Sequence, residues 1–280
     1  MKIKYTCTHW GAEHLDAASF MDKIKSNGYD GVEINLPQQG DFLNEFLEEL
    51  DDFYESDPDF IFIPQQLIFP ENESLQEFIK RMEKNLKRLL SYKPSYIHSH
   101  TGTDYFSFED NCRIIEASMN IASKTGIRIL HETHRGRFSF HAATLIPYVE
   151  KFPELELVGD FSHFCVVSES LLQNQQEILD KIIPHVSHIH ARIGYSQGPQ
   201  VNDPFAPEWA DHMKNFESWW CEILKKKKEK GWKKFVITPE FGPAPYMPAM
   251  PYTLQPLSNQ WEINLKMKEH LTNLFIDDYF

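Results

Sequence analysis

Eight strand-like runs alternate with helix-like stretches along this 280-residue chain, and this alternation limits its fold more than any other feature. The strand-like runs are Ile3–Thr8, Gly31–Asn35, Phe60–Pro64, Tyr96–His100, Ile127–Glu132, Leu155–Asp160, Val186–Arg192 and Phe235–Glu240. The amphipathic stretches include Leu15–Ser26, Phe42–Tyr54, Ser74–Leu90, Glu109–Lys124, Glu208–Lys230 and Asn259–Phe275. Strands that alternate with helices favour a parallel sheet, and eight such units fit a closed barrel better than an open sheet. We therefore predict an α/β fold, a single (β/α)8 TIM barrel that forms one domain over residues 1–280.

Composition limits which kinds of partner the protein can bind and in which cellular compartment we expect it. A formal net charge of -13 argues against a surface built to hold nucleic acid. Nowhere does the chain have the roughly 18 consecutive apolar residues that a membrane-spanning helix needs, so we expect no membrane contact. The segment Met1–Cys7 resembles a strand and not a secretory leader, and the widely separated cysteines form no Cys-x-x-Cys pair. These features predict a cytoplasmic protein with free thiols.

Four strand-like runs end with potential metal ligands. Glu132, Asp160 and Glu240 close the fifth, sixth and eighth runs, and the seventh contains His188 and His190. In a closed barrel, side chains at the carboxyl ends of the strands converge, and this is where TIM barrels place their active sites. Carboxylates and imidazoles together suit a divalent cation such as Mn²⁺, Mg²⁺, Co²⁺ or Zn²⁺. The sequence therefore predicts one divalent metal ion at this end of the barrel.

Each of these residues also has a purely structural interpretation. Glu132 could pair with Arg128 or Arg135, and Asp160 could cap the helix that follows it. His188 could be a core histidine bonded to a carbonyl group, and Glu240 could lie at the surface before a proline-rich loop. Three carboxylates and a histidine pointing inward at four strand ends would make a poor core without a cation, because unpaired buried charge costs several kcal/mol.

Two motifs and the strand-end ligands resemble the xylose-isomerase-like TIM barrels, a superfamily of sugar isomerases, ketose 3-epimerases, inosose dehydratases and endonuclease IV. The run Gly28-Tyr29-Asp30-Gly31-Val32-Glu33-Ile34 resembles the family's second-strand motif, and Asp160-Phe161-Ser162-His163 resembles its Asp-x-x-His on strand six. The resemblance implies that Glu132, Asp160, His190 and Glu240 hold the metal, and that His163 contacts the substrate. We prefer His190 over His188 because it lies nearer the carboxyl end of its strand. One departure is Arg192, which follows His190 by two residues, whereas the epimerases place an arginine further along the loop.

The same resemblance implies a chemistry. The metal would polarise the carbonyl of a sugar, and Glu132 or Glu240 would remove the neighbouring proton to give an enediolate. Return of the proton on the other face gives epimerisation, and return to the adjacent carbon gives isomerisation. The residues expected to bind the sugar substrate are His163, Arg192, His134, His100 and Trp10. Trp10 and Phe106, near the ends of the first and fourth strands, could wall the pocket, and core packing is the alternative for both. The oligomeric state stays open, with a homo-oligomer as one alternative because such relatives often form dimers or tetramers.

Three other functions remain open on the sequence. A single-metal dehydratase or lyase of an inosose-type substrate would use the same ligands. An endonuclease IV-like hydrolase would need three zinc ions, but the third run is followed by Gln65-Gln66 and the seventh by Asn202-Asp203-Pro204, without the required histidines. A sugar-binding barrel without activity is the remaining alternative. The long loops Gly194–Pro207 and Phe241–Pro256, rich in glycine and proline, are expected to cover the working face.

Overall fold

The computed structural model describes residues 1–276 and shows a closed barrel of eight parallel strands, which confirms the predicted fold. The strands are β1 (Lys2–Thr8), β2 (Gly31–Ile34), β3 (Ile61–Leu67), β4 (Ile97–His100), β5 (Ile129–Glu132), β6 (Leu157–Gly159), β7 (Val186–Ala191) and β8 (Lys234–Pro239). Each strand pairs with the next along the chain, and β8 pairs with β1 through registers such as Tyr5 with Ile237. All eight strands therefore end at the same face of the barrel.

Helices surround the sheet and return the chain from one strand to the next. They are α1 (Ala17–Ser26), α2 (Asp41–Ser56), α3 (Leu75–Leu90), α4 (Phe108–Thr125), α5 (Ala142–Lys151), α6 (Ser162–Val167), α7 (Gln176–Ile182), α8 (Ala210–Glu229) and α9 (Gln260–Ile276). Helix α3 begins with a capping box in which Ser74 and Glu77 bond to each other's backbone N–H. Helix α4 ends at Gly126, whose φ of +73° lies in the left-handed region that glycine adopts without strain. No helix within residues 1–276 is both long enough and apolar enough to cross a bilayer.

The largest differences from the predicted strand lengths are in β3, β5 and β6, and β5 begins at Ile129 and not at Ile127. The predicted third strand stops at Pro64, but β3 continues to Leu67 because Gln65, Gln66 and Leu67 pair with β4. The predicted sixth strand begins at Leu155, whereas β6 contains only Leu157–Gly159 and pairs irregularly with β7. The longer β3 carries Gln65 up to the carboxyl-end face of the barrel, where the candidate site lies.

Side chains inside the barrel change from apolar to polar along the strands. An apolar layer packs together near the amino ends and consists of Ile61, Ile63, Tyr96, Leu130, Val158 and Val236. Because a strand turns every second side chain to the same face, the residues two positions further on also point inward. These residues include His98, Glu132, Asp160 and Thr238, all of them buried. The apolar layer therefore closes the bottom of the barrel, and a polar layer lies above it at the carboxyl ends of the strands.

Candidate metal centre

Four of the sequence-predicted ligands come together at the carboxyl end of the barrel. Each of Glu132, Asp160, His190 and Glu240 offers a ligand atom, and these atoms all lie within 4.8 Å of one another. All four residues are buried, and they come from the ends of β5, β6, β7 and β8. A site of this size and donor set could hold a divalent cation.

His190 stands at the centre of this group, and its two imidazole nitrogens face different carboxylates. Its Nδ1 lies 3.2 Å from Glu132 Oε1 and 2.9 Å from Glu240 Oε2. Its Nε2 lies 3.0 and 3.1 Å from the two carboxylate oxygens of Glu33. When Nε2 donates its proton to Glu33, loss of the Nδ1 proton leaves a lone pair between Glu132 and Glu240 that a cation could take. Carboxylates orient metal-binding histidines in this way in many metalloproteins.

Glu33 orients a second histidine in the same manner. His98 Nδ1 forms a short hydrogen bond with Glu33 Oε1, and its Nε2 lies 3.1 Å from Glu132 Oε2. Burial alone would lower the pKa of His98, but the carboxylates of Glu33 and Glu132 outweigh it and raise the pKa to about 9. Burial would raise the pKa of Glu33, yet His190 and His98 hold it well below its usual range. Glu33 is therefore an ionised carboxylate that is fully buried inside the barrel.

No role was predicted for Glu33, which appeared only as part of the second-strand motif, or for His98. Strand alternation could have pointed to His98, because His98 and His100 share a face of β4. His100 Nε2 lies 2.8 Å from Glu132 Oε2, so this predicted substrate contact also lies against a predicted ligand. The atoms of His98, His100 and Glu132 form a further group that could hold a metal, as do those of Glu33, His98 and His190.

His188, the alternative ligand on β7, lies deeper in the barrel. Its Nδ1 is 3.2 Å from the Tyr96 hydroxyl, and its Nε2 is 2.8 Å from Thr238 Oγ1. Burial lowers the pKa of His188 to about 3, so the imidazole is neutral. Hydroxyl groups already occupy both nitrogens, and His188 does not belong to the four-residue group.

Arg192 closes the site on the side of Asp160. Its guanidinium forms a short hydrogen bond with Asp160 Oδ2, and its Nη1 lies 3.4 Å from Glu240 Oε2. Ser162 donates its backbone N–H to Asp160 Oδ1 over 3.0 Å. Burial raises the pKa of Asp160 to about 6 although Arg192 opposes the change. His163 Nε2 lies 3.0 Å from the same guanidinium.

The structural interpretations of the single residues are therefore incomplete or wrong. Arg128 pairs with Glu156 over 3.0 Å, and neither it nor Arg135 pairs with Glu132 within the described part of the chain. Asp160 accepts a hydrogen bond from the start of α6, as the capping interpretation expected, but also contacts Arg192. Glu240 is only 5% exposed and does not lie at the surface.

The centre opens into a cavity of about 710 Å³ at the carboxyl-end face. The cavity is lined by His9, Trp10, Glu13, Asn35, Leu36, Pro37, Phe42, Gln65, Leu67, Phe69, His100, Glu132, His134, Arg192, Glu240 and Tyr246. Four of the residues predicted to bind the substrate therefore line this cavity: Trp10, His100, His134 and Arg192. His163 does not line the cavity but contacts two residues that do, Arg192 and His134, whose ring centroid is 3.9 Å from that of His163.

Of the two alternatives left open for Phe106, packing holds, because Phe106 does not line this cavity. Its ring packs on Phe78 with centroids 6.1 Å apart, and it borders a separate, smaller cavity between the loop after β4 and α5. Phe106 lies six residues beyond the end of β4, and the chain has turned outward toward α4 by that point. The aromatic wall is instead completed by Tyr246, whose ring centroid is 4.8 Å from that of Trp10.

The charge of the centre favours a bound cation. The carboxylates of Glu33, Glu132, Asp160 and Glu240 meet there, and Arg192 is the permanently charged cation that bonds to them. Buried carboxylates in excess of their counter-ions are costly, and protons on His98 and His190 compensate part of the excess. Burial would lower the pKa of His190, but Glu240 and Glu33 raise it well above its usual range. The donor set therefore fits a divalent cation, which would replace these protons.

Solved structures with a similar fold extend over nearly the whole chain. A xylose isomerase domain-containing protein from Salmonella typhimurium LT2 is 14% identical, with a TM-score of 0.63 over 99% of this chain and 100% of that one. The probable 3-DHS dehydratase AsbF from Bacillus anthracis is 15% identical, with a TM-score of 0.58 over 96% and 99%. A xylose isomerase domain protein from Alicyclobacillus acidocaldarius is 11% identical, with a TM-score of 0.54 over 98% of each chain. No family model matches the sequence, and no curated protein does.

These comparisons, together with the closed eight-stranded sheet, define the chain as a TIM barrel. Two of these neighbours are described as xylose isomerase domain proteins, and the predicted TIM barrel fold is confirmed. Sequence identities of 11 to 15% show a common fold and carry no activity from one protein to another.

Proposed function

We propose that the chain is a divalent-metal-dependent isomerase or epimerase of sugars or sugar derivatives. The observation that carries the proposal is the convergence of the ligand atoms of Glu132, Asp160, His190 and Glu240 within 4.8 Å, at the edge of a cavity large enough for a sugar. Three carboxylates and one imidazole would hold the ion. A bound divalent cation supplies Lewis-acid polarisation of a carbonyl group and so acidifies the neighbouring C–H bond.

Two carboxylates are placed to move the proton. Glu240 and Glu132 both line the cavity, and they approach His190 Nδ1 to 2.9 and 3.2 Å respectively. Glu132 is held by His98 and His100 as well, so Glu240 has fewer partners and is the better base in this proposal. One carboxylate removes the proton α to the carbonyl, and the other returns it on the opposite face or to the adjacent carbon.

The cationic and neutral groups around these carboxylates would hold the substrate oxygens. Arg192 lies within the cavity lining and can donate to the oxyanion of the enediolate. His134 and His100 also line the cavity, and burial lowers the pKa of each, so both are neutral at pH 7. Neutral imidazoles can donate to one hydroxyl and accept from another without adding charge.

Dehydration of a cyclic or open-chain polyol is the second candidate. Tyr246 favours it, because its hydroxyl lies 3.5 Å from His134 Nε2 at the cavity wall. Burial raises the pKa of Tyr246, so the phenol keeps its proton and can act as the acid that a leaving hydroxyl needs. The fold neighbour from Bacillus anthracis is described as a probable dehydratase, which agrees with this candidate without establishing it.

Metal content is the first measurement. We expect about one divalent ion per chain in the purified protein and its loss in both Glu132→Gln and Glu240→Gln. Glu154→Gln, at an exposed position outside the site, is the matched control and should keep the ion. No ion in the wild-type protein, even after soaking with Mn²⁺ or Zn²⁺, would contradict the proposal and favour a binding barrel without catalysis. About three zinc ions per chain would instead favour the hydrolase.

Solvent exchange then separates the reactions. The metal-loaded protein is incubated with a panel of ketoses and polyols in D₂O, and the carbon-bound hydrogens are followed by NMR. Deuterium at the carbon next to the carbonyl, with a new epimer or isomer, supports the first candidate. An unsaturated product formed with loss of water supports the dehydratase. Retention of the ion without any exchange or product would contradict both.

A further inference from the structure

Arg137, between β5 and α5, is a buried cation that forms no ion pair within residues 1–276. The side chain is 2% exposed, and its Nη1 donates to two backbone carbonyls, Ile68 O at 3.3 Å and Gly102 O at 3.4 Å. Its Nη2 is buried and has no hydrogen-bond partner. Within residues 1–276 no carboxylate oxygen lies within 4.0 Å of this guanidinium, whereas Arg192 has two carboxylate partners.

Such an arrangement is expensive in a folded protein. A guanidinium stays protonated under all ordinary conditions, so Arg137 cannot escape the cost of burial by losing its charge. Buried charges are normally paired, and a buried donor without an acceptor requires an explanation. The free Nη2 group and the missing counter-ion would both be satisfied by an external oxyanion.

The surroundings of Arg137 place it next to the cavity. The Phe69 ring lies over the guanidinium, with 4.2 Å between its centroid and the Arg137 Cζ atom. Phe69 also lines the cavity together with His100 and Glu132, and it is 61% exposed. Burial lowers the pKa of Arg137, and the carboxylates of Glu132 and Asp104 are among the groups that oppose this change. An exposed ring on one flank can turn aside without disturbing the core.

We propose that Arg137 binds an anionic substituent of the substrate, a carboxylate or a phosphate group, when Phe69 turns away from it. The substrate would then be a sugar acid or a sugar phosphate, with its carbonyl end at the metal centre and its anionic end at Arg137. This step rests on the proposed function for the assignment of the reacting end. A planar guanidinium binds carboxylate and phosphate groups through two parallel hydrogen bonds. A neutral sugar would leave the charge unpaired, so the same residue selects against it.

Three six-carbon polyols provide matched probes: D-gluconate carries a carboxylate, D-glucitol 6-phosphate carries a phosphate, and D-glucitol carries neither. Their dissociation constants are measured by calorimetry for the purified protein and for Arg137→Gln. We expect one of the two anions to bind at least about tenfold more tightly than D-glucitol to the wild-type protein, as charge-assisted hydrogen bonds predict. The preferred anion identifies the substituent. In Arg137→Gln this preference should disappear while the binding of D-glucitol is unchanged.

Arg113→Gln is the matched control, since it removes one positive charge from an arginine of α4 whose side chain is 54% exposed. It should keep the preference for the anion. No preference in the wild-type protein, or an equal preference in Arg137→Gln, would overturn the inference. The metal content of the same preparations separates the two proposals. If the protein holds its ion but Arg137→Gln still prefers the anion to D-glucitol, only the role of Arg137 is contradicted. If Arg137→Gln loses this preference but the wild-type protein holds no ion, only the metal-dependent reaction is contradicted.

A second measurement does not depend on the folding of Arg137→Gln. Phenylglyoxal modifies accessible arginines, and peptide mass spectrometry follows the modification of Arg137 in the wild-type protein and in Phe69→Ala. We expect faster modification in Phe69→Ala, and protection in both proteins by the preferred anion but not by D-glucitol. Equal protection by D-glucitol, or none by either anion, would overturn the inference.

Discussion

His190 and His188 lie two residues apart on β7, but their imidazole nitrogens face different partners. His190 Nδ1 faces Glu132 and Glu240, whereas both nitrogens of His188 are bonded to hydroxyl groups. We expect His190→Asn to weaken metal binding by more than about 100-fold, beyond the usual effect of outer residues. His188→Asn should keep the ion and lose about 1–3 kcal/mol of unfolding free energy. Calorimetric metal titration and urea denaturation measure the two effects, and loss of the ion in His188→Asn alone would reverse the assignment.

Glu33 is expected to act on the metal through the two histidines that it orients. Glu33→Gln keeps the size of the side chain but replaces one acceptor oxygen by an amide group, so His190 and His98 lose their common anionic partner. The affinity for Mn²⁺ or Zn²⁺ should fall by about 10- to 100-fold without a change in stoichiometry. Gln65 Nε2 lies 3.2 Å from Glu33 Oε1. Gln65→Glu is therefore a contrasting variant, because it adds a negative charge beside Glu33 instead of removing one. An unchanged affinity in Glu33→Gln would show that the histidines are oriented without this carboxylate.

His98 should make the stability of the metal-free protein depend on pH. Its pKa is about 9 in the folded protein and about 6.5 in an unfolded chain, so the folded state binds more protons between these values. The stabilising contribution is complete below pH 6.5 and is lost as the pH rises through 9. Urea denaturation in the presence of a chelator at pH 6.5, 8 and 9 should show this loss, and His98→Gln should flatten it. The same slope in both proteins would exclude His98 as its source.

Among single residues, the sequence predicted the side chains whose position follows from strand alternation. It missed the side chains whose position depends on contacts across the barrel. Glu132, Asp160, His190 and Glu240 are strand-end residues, and the parallel order of the strands brings them together. The pairing of Glu33 with His98 and His190 joins β2 to β4 and β7, and no local pattern indicates it. Arg137 carries no periodic signal at all, because its burial is decided by the loops after β3 and β4.

Among the elements, the two long loops 194–207 and 241–256 are joined by hydrogen bonds. Gln200 donates from Nε2 to Gly242 O over 3.1 Å and accepts from Gly242 N over 2.7 Å. The sequence predicted both loops at the working face from their glycine and proline content. Only the loop after β8 contributes its own side chain to the cavity wall, through Tyr246. A composition-based prediction locates such loops but cannot say which of their residues turns inward.

Gly242 is required because the Trp10 indole lies against it. A Cβ atom at this position would lie 2.1 Å from Trp10 Cη2, which is far inside van der Waals contact. We expect Gly242→Ala to displace the indole, change the tryptophan fluorescence and weaken the binding of polyol ligands at least several-fold, while the metal content stays the same. Trp10→Phe frees space at the contact, so the double variant should recover part of the binding. Additive losses in the double variant would show that the two residues act separately.

For the whole molecule, the metal should contribute measurably to stability. A ligand at 100 times its dissociation constant stabilises the folded state by about 2.7 kcal/mol, which corresponds to roughly 5–10 °C in Tm for a chain of this size. Chelation of the purified protein should lower Tm by about this amount, and added Mn²⁺ or Zn²⁺ should restore it. Glu132→Gln should show no response to the chelator. A wild-type Tm that changes with neither chelator nor metal would mean that protons alone compensate the negative charge of these carboxylates.

The barrel as a whole divides its site between its two halves. The four predicted ligands all lie at the carboxyl ends of β5 to β8, whereas the apolar and amide side chains of the cavity wall come largely from β3 and from the segments after β1, β2 and β3. Changes in the loops after these three strands can therefore alter what fits the cavity, while the four ligands and the strand residues Glu33 and His98 stay in place. A library confined to the loops after the first three strands should thus yield altered ligand selectivity with little loss of folded protein, and it offers a practical starting point for redesign.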